Sequence, residues 1–88
     1  MKIKEGFVLQ EIAGSNVVVP VGEVSAILNG IISLNDSGVL LWNLLTEGAE
    51  QEQLVNALVA EYGIPNNKAL RDVNAFLDTL RSTGCLEK

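Results

Sequence analysis

Between Gly30 and Trp42 the chain reads GIISLNDSGVLLW, and within a few positions the spacing of its apolar residues changes from two to that of a helix. Such a stretch runs from a strand straight into a helix, and the rest of a small chain has to pack around the junction. Ile32 and Leu34 alternate with Ser33, which gives the strand one apolar face. Asn35 follows, with a side-chain oxygen suited to accept an N–H from the first helical turn, and is the expected cap. Beyond it Leu41, Leu44 and Leu45 recur at helical spacing, and Trp42 adds the largest single apolar surface in the chain. This helix is expected to be buried on more than one side.

Upstream, Phe7 to Ile12 alternates Phe7, Leu9 and Glu11 against Val8, Gln10 and Ile12, and Ala13, Gly14, Ser15 and Asn16 supply turn chemistry before Val17, Val18 and Val19. A β-hairpin is expected, and because Pro20 has no N–H for a ladder the second strand either ends there or lies at a sheet edge. Asn29-Gly30 tolerates the positive φ of a type I′ turn, so a short strand at Ala26 to Leu28 can pair back onto Ile31 to Leu34.

Downstream, the first helix spans about 36–46 and stops at Gly48. The second begins near Glu50; Leu54, Val55, Leu58, Val59 and Tyr62 form its apolar stripe, and Gly63 with Pro65 closes it. The third spans Asn66 to Ser82, with Leu70, Val73, Leu77 and Leu80 toward the core, Gly84 as terminator and Leu86 as a hydrophobic clamp. Strands first and helices after argue an α+β fold: a small antiparallel sheet of three strands, four with Ala26–Leu28, followed by three helices packed on one face.

The 88 residues make one domain over 1–88, without linker or repeat, and a chain this short buries about 60–65% of its unfolded surface. Its 48% apolar and 19% charged residues exclude a disordered tail. Eleven acidic against six basic residues give a net charge of −5, which repels nucleic-acid phosphates. The apolar runs fall far short of the ~20 residues of a membrane helix, and Met-Lys-Ile-Lys-Glu has no signal region behind it, so a soluble, cytoplasmic protein is expected. Cys85 is alone and reads as a small apolar filler.

Histidine is absent and there is one cysteine, so no zinc site and no Cys-His or Ser-His pair can be assembled, and no metal or cofactor is expected. Asp36, Glu50 and Glu52 open helices, where a carboxylate complements the dipole, and Ser37 has no accompanying base. Gly30 and Gly38 lack the following Lys of a phosphate loop. What remains is binding. A small sheet with an open edge beside a helix suits strand addition by an extended peptide. On the third helix Ala69, Asp72, Phe76 and Thr79 form one flank, while Asn67, Arg71, Asn74, Asp78 and Arg81 form a solvent-facing one. Phe76 has two readings of equal weight, a groove wall or a widening of the core stripe.

The combination LNDSGVLLWNLL, Glu-Gly-Ala at 47–49, Glu-Tyr-Gly at 61–63 and Asp72-Val73 with Phe76-Leu77-Leu80 resembles the PqqD family, pyrroloquinoline quinone synthesis protein D. That family is the prototype of the peptide-recognition elements of ribosomal natural-product pathways. Gly6-Phe7 and Gly84-Cys85-Leu86 extend the resemblance over nearly the whole chain. It implies a winged-helix-like fold without catalytic activity. It also implies a chaperone that binds a precursor peptide's leader as an added strand and presents it to a modifying enzyme, often a radical S-adenosylmethionine protein. Carried over, the strand side of the site is Ile31, Ile32, Ser33 and Leu34, and the helix side is Ala69, Asp72, Val73 and Phe76. Glu50 stands where relatives often have a capping Thr or Ser, so fraying is expected at that helix start. Two other readings remain: a DNA-binding winged helix, to which Lys68 and Arg71 would contribute but which the charge disfavours, and a homodimerisation module using the same strand edge. The protein is accordingly expected as a monomer or a homodimer.

Overall fold

Strand gives way to helix at Asn35, as the change of period requires. The computed structural model describes residues 1–22 and 32–87. Among them run strands β1 (Lys2–Ile3), β2 (Phe7–Ile12), β3 (Ser15–Pro20) and β4 (Ile32–Leu34), helices α1 (Asp36–Glu47), α2 (Gln51–Tyr62) and α3 (Asn66–Ser82), and strand β5 (Leu86–Glu87). The expected strand at Ala26–Leu28, the Asn29-Gly30 turn and Ile31 lie outside the described residues.

The hairpin is tighter than the turn-forming run suggested. Ile12 pairs with Ser15, so the loop is Ala13-Gly14 alone, and Ser15 and Asn16 belong to β3. Both loop residues have positive φ, 52° at Ala13 and 82° at Gly14, the backbone twist that suits a two-residue hairpin. At Ala13 the Cβ makes this conformation cost about 1 kcal/mol.

The three-stranded sheet has the order β2-β3-β4, antiparallel throughout. Phe7, Leu9 and Val18 share the face turned to the core, with Val18 opposite Ile32. Val21 N–H donates to Gly6 C=O at 2.8 Å. Because backbone groups alternate sides along an antiparallel strand, this bond sets the parity of the sheet. Even-numbered residues of β2 bond to β3, and those of Phe7, Leu9 and Glu11 point away from it. Asn16 and Val18 of β3 bond across to Leu34 and Ile32, while Pro20 falls beyond β4's last described partner. On β4, therefore, the N–H and C=O of Ser33 point outward.

α1 starts at a closed cap: Asn35 Oδ1 accepts the Gly38 N–H at 2.9 Å and the Ser37 hydroxyl at 3.0 Å. A Cβ on Gly38 would meet Asn35 Oδ1 at 3.2 Å and Leu34 Cβ at 3.3 Å, so glycine lets strand end and helix start approach. Leu41, Trp42 and Leu45 are buried, with Leu40 and Leu44 packed beside them, and α1 is covered on more than one side as expected. At the start of α2, Gln53 Oε1 accepts the Glu50 N–H at 2.7 Å, the half of a capping box that satisfies the N-cap's own donor and holds this helix start, where the Glu50 carboxylate complements the dipole. Leu54, Val55 and Leu58 are buried, but Tyr62, expected on the same stripe, is 44% exposed at the helix end.

On α3 the buried residues are Ala69, Val73, Leu77 and Leu80. Leu70, expected in the core, is 40% exposed. It lies one residue, about 100°, round from Ala69, and the face toward α2 takes the small side chain where the helices come close. The N-terminal residues, unassigned from sequence, form β1 and pair antiparallel with β5, Ile3 opposite Leu86. Lys4 N–H donates to Cys85 C=O at 2.8 Å, and Ala49 N–H to Met1 C=O at 2.9 Å, tying this second small sheet to the α1–α2 junction. Leu86 is buried as expected, from a strand.

Candidate functional site

β4 is an edge strand among the described residues, and its end leads directly into α1. α3 runs alongside that junction and leaves a groove of about 350 Å³ between them. Asn35, Ser37, Gly38 and Leu41 line one side, Leu58 of α2 contributes to the floor, and Asp72, Ala75, Phe76 and Thr79 of α3 form the opposite wall. A second depression of about 360 Å³ shares Asn35, Ser37, Leu58 and Asp72 and adds Asp36, Tyr62, Ile64 and Lys68. The two run together along the α1 start.

The floor is apolar, with Leu41 and Leu58 buried and Gly38 contributing no side chain. Phe76 is half-buried: it packs on the core and also faces the groove, so both readings of it hold at once. The rim is polar and largely self-satisfied. Asp72 Oδ2 lies 3.1 Å from Lys68 Nζ, both side chains about half exposed, a pair worth roughly 0.3–0.5 kcal/mol. Thr79 Oγ1 donates to Ala75 C=O at 3.1 Å.

Of the expected helix-side residues, Asp72 and Phe76 line the groove, whereas Ala69 and Val73 are fully buried beneath the wall and hold it against the core. On the strand side Ser33 is exposed at the edge and Ile32 and Leu34 are half-buried; none of the three lines the groove, which starts one residue later at Asn35. Ile31 lies outside the described residues. Ser37, Gly38, Tyr62 and Ile64 were not singled out as site residues. One signal pointed to Gly38, a glycine in the first turn of a helix, which propensity disfavours unless something needs its space.

Charge on α3 is bound up locally. Lys68 pairs with Asp72, and Arg81 lies 3.5 Å from Asp78, so two of the helix's three basic side chains face carboxylates of their own helix. A phosphate-binding face has its cations free, so this arrangement weighs against the DNA reading. Cys85 is buried beside Thr83, and burial pushes its thiol up from the ordinary value, partly offset by the Thr83 hydroxyl and Lys4. No helix among the described residues is long and apolar enough to cross a membrane.

Two solved structures share this fold over nearly its whole length. TbiB1 in complex with the TbiA(beta) leader peptide is 30% identical, with a TM-score of 0.78 over 99% of this chain and 95% of that one. Lasso peptide synthetase B1 complexed with the leader peptide is 18% identical, with a TM-score of 0.78 over 99% and 96%, and at that identity it speaks for the fold alone. No curated protein matches the sequence. The family model of coenzyme PQQ synthesis protein D matches residues 15–86, from β3 through the groove-forming helices into β5, and the chain belongs to that family, PqqD.

Proposed function

We propose that this protein is a non-catalytic recognition element, a single domain that binds the leader of a ribosomally made precursor peptide and presents it to a modifying enzyme. The leader adds to β4 as a further antiparallel strand, bonding first to the outward N–H and C=O of Ser33. Its side chains reach the groove between Asn35–Leu41 and Asp72–Thr79. The observation that carries this reading is a strand that is an edge among the described residues and runs into an apolar groove, in a chain 30% identical to a protein solved with a leader peptide.

Ile31 to Leu34 form the strand side of the site and Asp72 and Phe76 its helix wall, with Ala69 and Val73 supporting the wall from within. On the family resemblance the recipient enzyme is a radical S-adenosylmethionine protein or another peptide-modifying enzyme, and the meeting takes place in the cytoplasm, where the precursor is made. About four backbone hydrogen bonds and two buried apolar side chains favour the complex, opposed by the ordering of the peptide and by the cost of association.

The test is an amide-resolved NMR titration with a synthetic leader taken from a short peptide gene beside this one. Shifts confined to β4, the start of α1 and the Asp72–Thr79 face are expected. Saturable shifts elsewhere would reject the site, and the absence of any shift for every neighbouring leader would reject the function.

A further inference from the structure

Among the described residues the three-stranded sheet has a second edge, on β2. Among the described residues β2 has a ladder partner on one side only, and the N–H and C=O groups of Phe7, Leu9 and Glu11 point away from it. This edge is six residues long, against three for β4. Exposed edges of such length are normally blunted by lysine, proline or a bulge. β2 reads FVLQEI and its register with β3 is unbroken over all six pairs, so it carries no lysine, proline or bulge, and its one charge is Glu11 at the end nearer the hairpin loop. On its outer face Val8 and Ile12 are 37% and 50% exposed, one on each side of Gln10.

We infer that β2 pairs antiparallel with β2 of a second copy of this chain, about a two-fold axis at Gln10. A continuous sheet with both cores on one side requires the axis to fall on a residue, which leaves Leu9, Gln10 or Glu11 as centres. An axis at Glu11 sets two carboxylates face to face. An axis at Leu9 leaves Ile12 opposite Gly6. The axis at Gln10 makes two Val8–Ile12 cross-strand pairs, places the strand's only charge opposite Leu9, and sets the two Gln10 amides side by side, where each can donate to the other. It also makes Leu9 and Glu11, whose backbone groups point outward, the hydrogen-bonded pairs.

The product is a six-stranded sheet with one β4 at each outer edge, so both grooves stay open and leader binding is not in competition with pairing. Edge pairing without face-to-face packing gives a weak dimer. A charge of −5 on each copy opposes it, so added salt strengthens it.

Sedimentation velocity from low-micromolar to millimolar protein reads the association, and mild oxidation of single-cysteine variants reads the register. The expected result is a concentration-dependent dimer, stronger in salt and lost in Val8→Lys, whose thermal unfolding stays unchanged because position 8 is at the surface. Gln10→Cys is expected to form a disulfide-linked dimer, since directly opposed residues in a non-hydrogen-bonded pair have Cα atoms about 4.5 Å apart, within disulfide reach. Glu11→Cys is expected not to cross-link, and Cys85 is buried in every variant. A monomer at every concentration, a dimer that survives Val8→Lys, or cross-linking at position 11 as readily as at position 10 would each overturn the inference.

Discussion

Ser33→Pro separates the stability of the free protein from its capacity to accept a strand. The parity set by the Val21–Gly6 bond turns the Ser33 N–H away from β3, so proline there removes no ladder bond. Its demand that Ile32 be extended is already met within β4, and the cost to folding should stay below about 1 kcal/mol. In the complex the same change deletes one backbone hydrogen bond, ~1 kcal/mol net, and the ring holds the incoming strand off its partner carbonyl, which weakens a second. A loss of ~1–2 kcal/mol corresponds to about 5–30-fold in Kd. Calorimetric titration with the leader peptide gives the affinity, and thermal unfolding gives the stability. Ser33→Ala, which keeps the N–H, should bind within about twofold of the parent. Leu34→Pro, which removes an N–H bonded toward Asn16, should unfold the sheet. Unchanged affinity in a folded Ser33→Pro would remove the peptide from β4, and unfolding of Ser33→Pro would refute the parity.

Four further outcomes are expected. Phe76→Ala should lower leader affinity by about 5–30-fold while the fold is retained, and unchanged titration curves would remove the ring from the site. Ala13→Asn should raise stability by about 0.5–1 kcal/mol in chemical denaturation, because asparagine tolerates the positive φ of the hairpin loop better. Leu77→Ala should cost about 2–5 kcal/mol, whereas Leu70→Gln should stay within about 0.5 kcal/mol, the same assay testing which face of α3 is inside. The Cys85 thiol is raised in the folded state, so the unfolded chain loses its proton first; stability is full below the ordinary value of 9.0 and falls as pH rises through it. Denaturation of the parent and of Cys85→Ala at neutral pH and above pH 9.0 should show a steeper alkaline loss in the parent.

Features held by neighbours in sequence were legible. The Asn35 cap, the glycine at the end of α2 and the hairpin each rest on contacts within a few residues, and local chemistry decides them. The exchange of Leu70 for Ala69 at the core was not legible, because both fit a helical stripe and the approach of α2 chooses between them. β1 and β5 are two residues each and far apart in the chain, too short for any period to register. The groove was half legible. Asp72 and Phe76 share a helix flank that the sequence shows, but their meeting with Ser37 and Gly38 depends on how α3 lies against α1, which no spacing encodes.

The β1–β5 pair joins residues 2–3 to residues 86–87, and its two sides are anchored differently. β5 continues from the end of α3, while the segment preceding β2 is fastened by Met1 C=O to Ala49 at the α1–α2 junction. It acts as a clasp that ties the end of α3 to the α1–α2 junction, and so links the two helices that wall the groove. A peptide then meets a slot of preset width, and rigidity arranged in advance lowers the entropy lost on capture. The clasp also closes almost the longest loop in the chain, so it forms after the local helices and hairpin, and the width of the slot is among the last things folding decides.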